Sequence, residues 1–363
     1  MADPSILLAG RAARAMDCLT NGDRSLGVAV SGGSDSIALL LLAAEWARAA
    51  GVRLEAATLD HGLRPEAAGE ARGVAGVCAM LQLRHETLVW RRSPPGAGIL
   101  VSQADARRVR HGLLAAWARD RGLATLAFGH TRDDRIETFL IRARAGSGWR
   151  GLAGPMPSSP SPVWPEGAGV RLVRPLLAFT REELRAELRR RAVLWVDDPT
   201  NLDLRYERVR MRALAARLGA PTRAAVTRIM DQLTLLRASV AAGAREAMAD
   251  VRLEGGEAWL DATVFRSLGA EVRLRLAEAL ILAAGGAAGP LRVQRLERLV
   301  ERIAAPGGLG GGATLAGARI RETQGAIRIG PAPARGAGGA IPALDSTRAA
   351  ALLANPCASA LDV

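Results

Sequence analysis

Ser31-Gly32-Gly33-Ser34-Asp35-Ser36 gathers two glycines, three hydroxyls and one carboxylate within six residues. Glycines at such a point let a ligand approach the main chain closely. Hydroxyls and N–H groups opening a helix favour anionic oxygens. A carboxylate there would repel phosphates unless a cation stood between, so Asp35 reads as a Mg2+ ligand and Ser31–Ser36 as a nucleotide cradle. A second set lies in Gly129-His130-Thr131-Arg132-Asp133-Asp134-Arg135-Ile136-Glu137-Thr138. Helical spacing brings His130, Asp134 and Glu137 to one face. Two carboxylates with an imidazole suit Mg2+ binding (Asp134 beside Asp35), capture of an amine or general-base work, and the residues alone leave these open. Around them stand Asp60-His61-Gly62-Leu63-Arg64, the pair Arg107 and Arg110 three residues apart, and the Arg-rich run Arg205 to Arg210 with Arg208 at its centre.

These residues need a frame. Leu26–Val30, Leu54–Leu59, His85–Trp90 and Thr125–Phe128 are apolar runs of strand length. Ser34–Ala50, Pro65–Leu81 and Val101–Arg121 between them carry helical periodicity. This rhythm predicts an α/β fold, a doubly wound parallel sheet with the chemistry at the carboxyl ends of its strands. Pro155–Gly169 reads as a mobile connection. Helical patterning returns over 180–191 and 203–218, and Pro221 marks an expected edge, giving a catalytic domain over residues 1–222. Residues 223–304 read as all-helical, with Asp261 an N-cap and Gly285-Gly286 a break. Gly307–Gly312 leads into a small β-meander over 314–329, so 223–330 forms a smaller, mostly helical C-terminal domain. The Ala/Gly/Pro-rich 331–363 reads as a disordered tail.

Composition narrows the chemistry. All 49 Lys+Arg residues are arginine, and the formal net charge is +13. GC-rich coding bias accounts for the choice of arginine, yet the surplus still favours polyanionic partners. Without lysine there is no Walker A loop, no Schiff-base cofactor and no catalytic lysine. Cys18, Cys78 and Cys357 are far apart, which argues against a zinc or iron–sulfur site and against a disulfide framework. The longest apolar stretch, Ile37 to Ala44, is too short for a bilayer. The chain is expected to be cytoplasmic, with no membrane contact.

Over about residues 26–212 the motifs stand in the order and spacing of the PP-loop ATP pyrophosphatases, the adenine nucleotide alpha hydrolase-like fold. Within that superfamily they resemble the tRNA(Ile)-lysidine synthetases. Leu59–Arg64 is similar to their HVDHGLR element, Ala106–His111 to ARxxRY, Gly129–Thr138 to GHHxxDxxET, and Gly146–Leu152 to GxGxxGL. Arg174–Leu177 resembles RPLL, and Asp198–Arg210 resembles DPTN…YxRNxxR. His111, Thr131 and Val209 depart from the pattern. The resemblance implies a ligase that takes ATP, with Mg2+, to adenylate the C2 oxygen of the wobble cytidine in a CAU-anticodon tRNA(Ile). The amine of free L-lysine then displaces AMP to give lysidine. It implies catalytic roles for Asp35, Arg110, His130, Asp134, Glu137 and Arg208, and a tRNA-binding role for 223–330. The oligomeric state stays open, a homodimer included. Two rivals share the fold: a tRNA thiolase, and a catalytically silent tRNA-binding protein.

Overall fold

The computed structural model describes residues 4–60, 62, 67–90, 103–197, 203–285, 291–305, 308–333 and 343–353. The chain divides into two compact units. Described residues up to 161 and over 169–237 form the first, and 162–168 with 238–353 the second.

The first unit runs α1 (Pro4–Thr20), β1 (Ser25–Ala29), α2 (Ser34–Ala50), β2 (Arg53–Asp60), α3 (Ala67–Met80), β3 (Arg84–Val89), α4 (Gln103–Asp120), β4 (Thr125–Phe128) and α5 (Arg132–Arg144). It continues through α6 (Trp149–Leu152), β5 (Ser158–Pro160), β6 (Arg171–Val173), α7 (Arg181–Arg190), α8 (Glu207–Arg217) and the first part of α9 (Ala220–Glu246), whose residues from 238 belong to the second unit. The sheet order is β3-β2-β1-β4-β6-β5, parallel throughout except for β5, which runs antiparallel to β6. Both faces are covered, as alternation along β1 shows. Val28 joins the core cluster of α1 and α2, whereas Gly27 faces Trp117 of α4, where a Cβ would stand 2.9 Å from the ring. Helix α2 is buried almost all round, Ile37 through Ala44 without a break. Each of its large aliphatic side chains contributes about 1.5–3 kcal/mol of burial, and that anchors the loop before it.

The second unit holds a five-stranded antiparallel sheet, β7-β8-β11-β10-β9. Its elements are β7 (Arg252–Glu254), β8 (Glu257–Asp261), α10 (Ala262–Ser267), α11 (Ala270–Gly285), α12 (Val293–Ala304), β9 (Ala313–Leu315), β10 (Ala318–Thr323), β11 (Ala326–Pro331) and α13 (Ser346–Leu353). Leu260, Ile320, Ile327 and Ile329 pack one sheet face against α11.

Several expectations need correction. Helix α1, absent from the sequence reading, supplies Leu8, Ala12, Met16 and Leu19 to the core. Pro155–Gly169 is partly ordered pairing: Ser158 pairs with Val173 and Pro160 with Arg171. Residues 223–304 are not all helical, because Gly255-Gly256, both at positive φ, turn β7 back onto β8. Part of the tail is helix, with Ala349 and Leu353 of α13 buried. The rest of the tail, over 334–342 and 354–363, lies outside the described residues. The edge expected after 222 falls within α9, and the compact units divide at 237. Asp261 is the N-cap of α10, accepting from the N–H groups of Thr263 and Val264.

Candidate active site

In the order β3-β2-β1-β4 the chain leaves β1 in one direction through β2 and β3, then returns on its other side as β4. The carboxyl ends of β1 and β4 therefore flank the switch point where open α/β sheets place their ligands. The loops there are Ser31–Gly33 and Gly129–Thr131, the two motifs richest in chemistry. They touch closely. A Cβ on Gly129 would lie 2.8 Å from the Asp35 carbonyl oxygen, so glycine is required for that approach.

The loop after β1 is internally braced. Ser36 Oγ accepts from the Ser31 N–H at 3.1 Å, donates to the Gly33 carbonyl at 2.9 Å and lies 3.2 Å from Ser31 Oγ. Gly32 sits at φ +84, and Gly33 caps α2 with no side chain to offer its first turn. The N–H groups of Ser36 and Ile37 donate to the Gly33 carbonyl, and among the described residues those of Ser34 and Asp35 are left for an external anion. Asp35, in the first turn, points to the acids of α5.

There Asp134 and Glu137 are buried on α5 one turn apart, Glu137 at 1 % side-chain exposure. Three arginines from two other helices neutralise them. Arg181, at the start of α7, donates to Asp35 at 3.0 Å, Asp134 at 3.1 Å and Glu137 at 3.4 Å. Arg208 of α8 donates to Asp134 at 2.8 Å and Glu137 at 3.0 Å, and Arg212 to Glu137 at 2.8 Å. Asp133 on the next face accepts from the Arg181 N–H at 2.7 Å and from Arg223 at 2.5 Å.

Burial raises the Asp35 carboxyl above its ordinary range, offset only in part by Arg181. Burial acts the same way on Asp134, but the charges around it, Arg208 first, together with the Thr131 N–H outweigh it and hold that group below its ordinary range. Burial, reinforced by Arg174, pushes His130 down to about 3. His130 is therefore neutral near pH 7, and its Nδ1 is buried without a partner among the described residues. Arg110 lies 5.8 Å from the Phe128 ring and makes no ion pair among the described residues; desolvation lowers it, and Arg107 beside it lowers it further. Arg174 is brought down to about 10 by burial and then by Arg107 and Arg237. This side of the site carries positive charge in excess of its acids, which suits phosphate.

Of the residues singled out in the sequence, Ser31–Ser36, Asp35, Asp134, Glu137 and Arg208 form one contiguous cluster. His130 and Arg110 meet around Phe128, with ring centroids of His130 and Phe128 6.1 Å apart. His130 is not on the helix face with Asp134, because α5 begins only after the N-cap Thr131. His61, Leu63 and Arg64 lie outside the described residues, as does 198–202. Sequence reasoning missed Arg181 and Arg212. The signal for Arg181 was an arginine at the first position of a helix, where the dipole disfavours a cation unless acids elsewhere hold it. Asp35 and Asp134 fit a Mg2+ ion. Their oxygens already converge on one cation, and two carboxylates completed by phosphate and water oxygens suit that metal. Among the described residues no set of three His, Cys, Asp or Glu forms an all-protein cage.

Comparison with known proteins identifies the family. A PP-loop domain model matches residues 9–218. A tRNA(Ile)-lysidine synthase of Hyphomonas neptunium is 43% identical over 309 residues, covering 85% of this chain and 82% of that one. Another, of a Bradyrhizobium species, is 40% identical over 337 residues, covering 85% and 90%. Among solved structures, a U34-tRNA thiolase of Methanococcus maripaludis with a [4Fe-4S] cluster superposes with a TM-score of 0.53 at 15% identity, over 63% of this chain and 78% of that one. That likeness is one of fold.

Proposed function

Since this chain belongs to the tRNA(Ile)-lysidine synthase family of PP-loop proteins, we propose that it joins free lysine to C2 of the wobble cytidine in a CAU-anticodon tRNA(Ile), spending ATP. The observation that carries the reading is the convergence of Asp35, Asp134 and Glu137 on Arg181 at the β1/β4 switch point, with Arg208 bridging Asp134 and Glu137. A phosphate cradle, a carboxylate pair and a buried acid for an amine stand there in one cluster.

In the first step the cytidine O2 attacks the α-phosphorus. The O–P bond forms as the bond to the β-phosphate breaks and pyrophosphate leaves. The Ser31–Ser36 loop and the opening N–H groups of α2 hold the polyphosphate. Arg110 and Arg107, free of acidic partners among the described residues, steady the charge developing on the α-phosphoryl oxygens. His130, kept neutral, contributes a ring nitrogen as a hydrogen-bond partner, not a second cation. Bound between Asp35 and Asp134, Mg2+ would supply charge neutralisation of the phosphates.

In the second step the lysine amine forms a bond to C2 and AMP departs with the former O2. An ammonium is no nucleophile, so the amine must lose a proton. Glu137 receives the ammonium and takes its proton. The second unit and the Arg-rich α8 hold the tRNA backbone through phosphate contacts.

A thiolase reading is not favoured. Burial pushes the Cys78 thiol up to about 11, so it is not poised as a thiolate. Incubation with ATP, labelled lysine and CAU-anticodon tRNA(Ile) tests the proposal. Label in the tRNA at the wobble position, with AMP and pyrophosphate released, is expected. ATP turnover without lysine incorporation would sink it.

A further inference from the structure

The Arg181 guanidinium is shared among three acids, Nε on Asp35 Oδ2, Nη2 on Asp134 Oδ1 and Nη1 on Glu137 Oε1. Among the described residues the ion pairs of this cluster are balanced: Asp35, Asp133, Asp134 and Glu137 face Arg181, Arg208, Arg212 and Arg223, four against four. A dication added to this neutral, largely buried cluster would stand in uncompensated excess, which a low-dielectric site resists. Arginine cannot yield by losing its proton. Nor can the backbone withdraw, because the Arg181 N–H is held by Asp133 at 2.7 Å and Thr180 caps α7 reciprocally with Glu183. Only the side chain can move.

We propose that Arg181 is the resident counter-cation of the Asp35–Asp134 pair, a positioning residue that a divalent metal must displace. Metal then enters together with the polyphosphate, which offers the guanidinium a new anionic partner and restores the balance. The acids stay in place before nucleotide arrives, and metal alone binds only weakly. This rests on the ATP reading above.

The test is Mn2+ binding by electron paramagnetic resonance on the full chain, with and without α,β-methylene-ATP, in wild type and Arg181→Gln. Wild type is expected to bind Mn2+ weakly alone and much more tightly with the nucleotide. Arg181→Gln should bind Mn2+ alone roughly tenfold tighter, and the tightening by nucleotide should shrink by a similar factor, since the coupling is reciprocal. Unchanged or weaker metal binding by folded Arg181→Gln overturns the proposal. If circular dichroism shows that variant unfolded, Arg181→Lys carries the test, because one ammonium cannot span three acids. A gain of roughly threefold is then expected, and no gain overturns the idea. If wild type ignores the nucleotide while Arg181→Gln still gains Mn2+ affinity, the ATP reading falls and the counter-cation stands.

Discussion

Thr131 donates to Asp134 twice, from its N–H at 2.8 Å and from its hydroxyl at 3.0 Å, and both bonds end on the same oxygen, Oδ2. The other oxygen, Oδ1, is thereby left for Arg181 and Arg208. One carboxylate thus serves a helix cap with one atom and the chemistry with the other. Asp134→Asn cannot satisfy both sides, since one end of the amide is a donor facing donors. Lysine incorporation is expected to fall about 100-fold or more. Thr131→Ala removes the cap and is expected to lower stability by about 1 kcal/mol with a smaller loss of turnover. Denaturant melts and single-turnover assays separate the two, and a larger activity loss in Thr131→Ala than in Asp134→Asn would refute this division.

Glu137→Gln separates the two half-reactions. Glu137 is held by Arg181, Arg208 and Arg212, and the proposed function gives it to the amine. The variant is expected to release pyrophosphate on mixing with tRNA and ATP in the absence of lysine, while its KM for lysine rises about tenfold or more. Equal loss of both steps would show that Glu137 supports the site as a whole.

Gly129→Ala is expected to damage the nucleotide site from a distance. The added methyl would lie 2.8 Å from the Asp35 carbonyl, a backbone atom that cannot rotate away. A destabilisation of about 1–3 kcal/mol is expected, with ATP affinity weakened more than tRNA affinity. Thermal melts and filter binding read the two effects.

The pH dependence of stability follows from the buried imidazoles. His111 falls from 6.5 to about 3 through burial and then the fields of Arg107, Arg110 and Arg174. Below pH 6.5 the unfolded chain takes up a proton that the native chain refuses, so stability declines as pH falls from 6.5 towards 3. At pH 5 the loss from this one group is about 2 kcal/mol. Replacing it as His111→Phe keeps a ring against Phe128, now 5.6 Å away, and should flatten the melting temperature between pH 7 and 5. An unchanged slope would assign the effect elsewhere, His130 first.

Much of the first unit was legible because its signals are local. Strand β4 and helix α2 stand at Thr125–Phe128 and Ser34–Ala50, the bounds read from periodicity and from glycine. The acids of α5 and Arg208 were legible as motif residues. Arg181 was not, because its contacts reach Asp35 across 146 residues, and no periodicity encodes such a pairing. The β7–β8 turn had a readable Gly-Gly signal, but helical patterns on both sides absorbed it. Helix α13 was hidden by its alanines, which serve a helix and a low-complexity tail equally well.

Helix α2 bears on kinetics as well as on support. Encased from Ile37 to Ala44, it cannot tilt or fray without opening the core, and the phosphate loop inherits that stiffness. The entropy of shaping the cradle is therefore spent during folding, and the nucleotide meets a surface that is already set. Amides of Ser36 and Ile37 should resist hydrogen exchange as long as the global fold does, whether or not ATP is present.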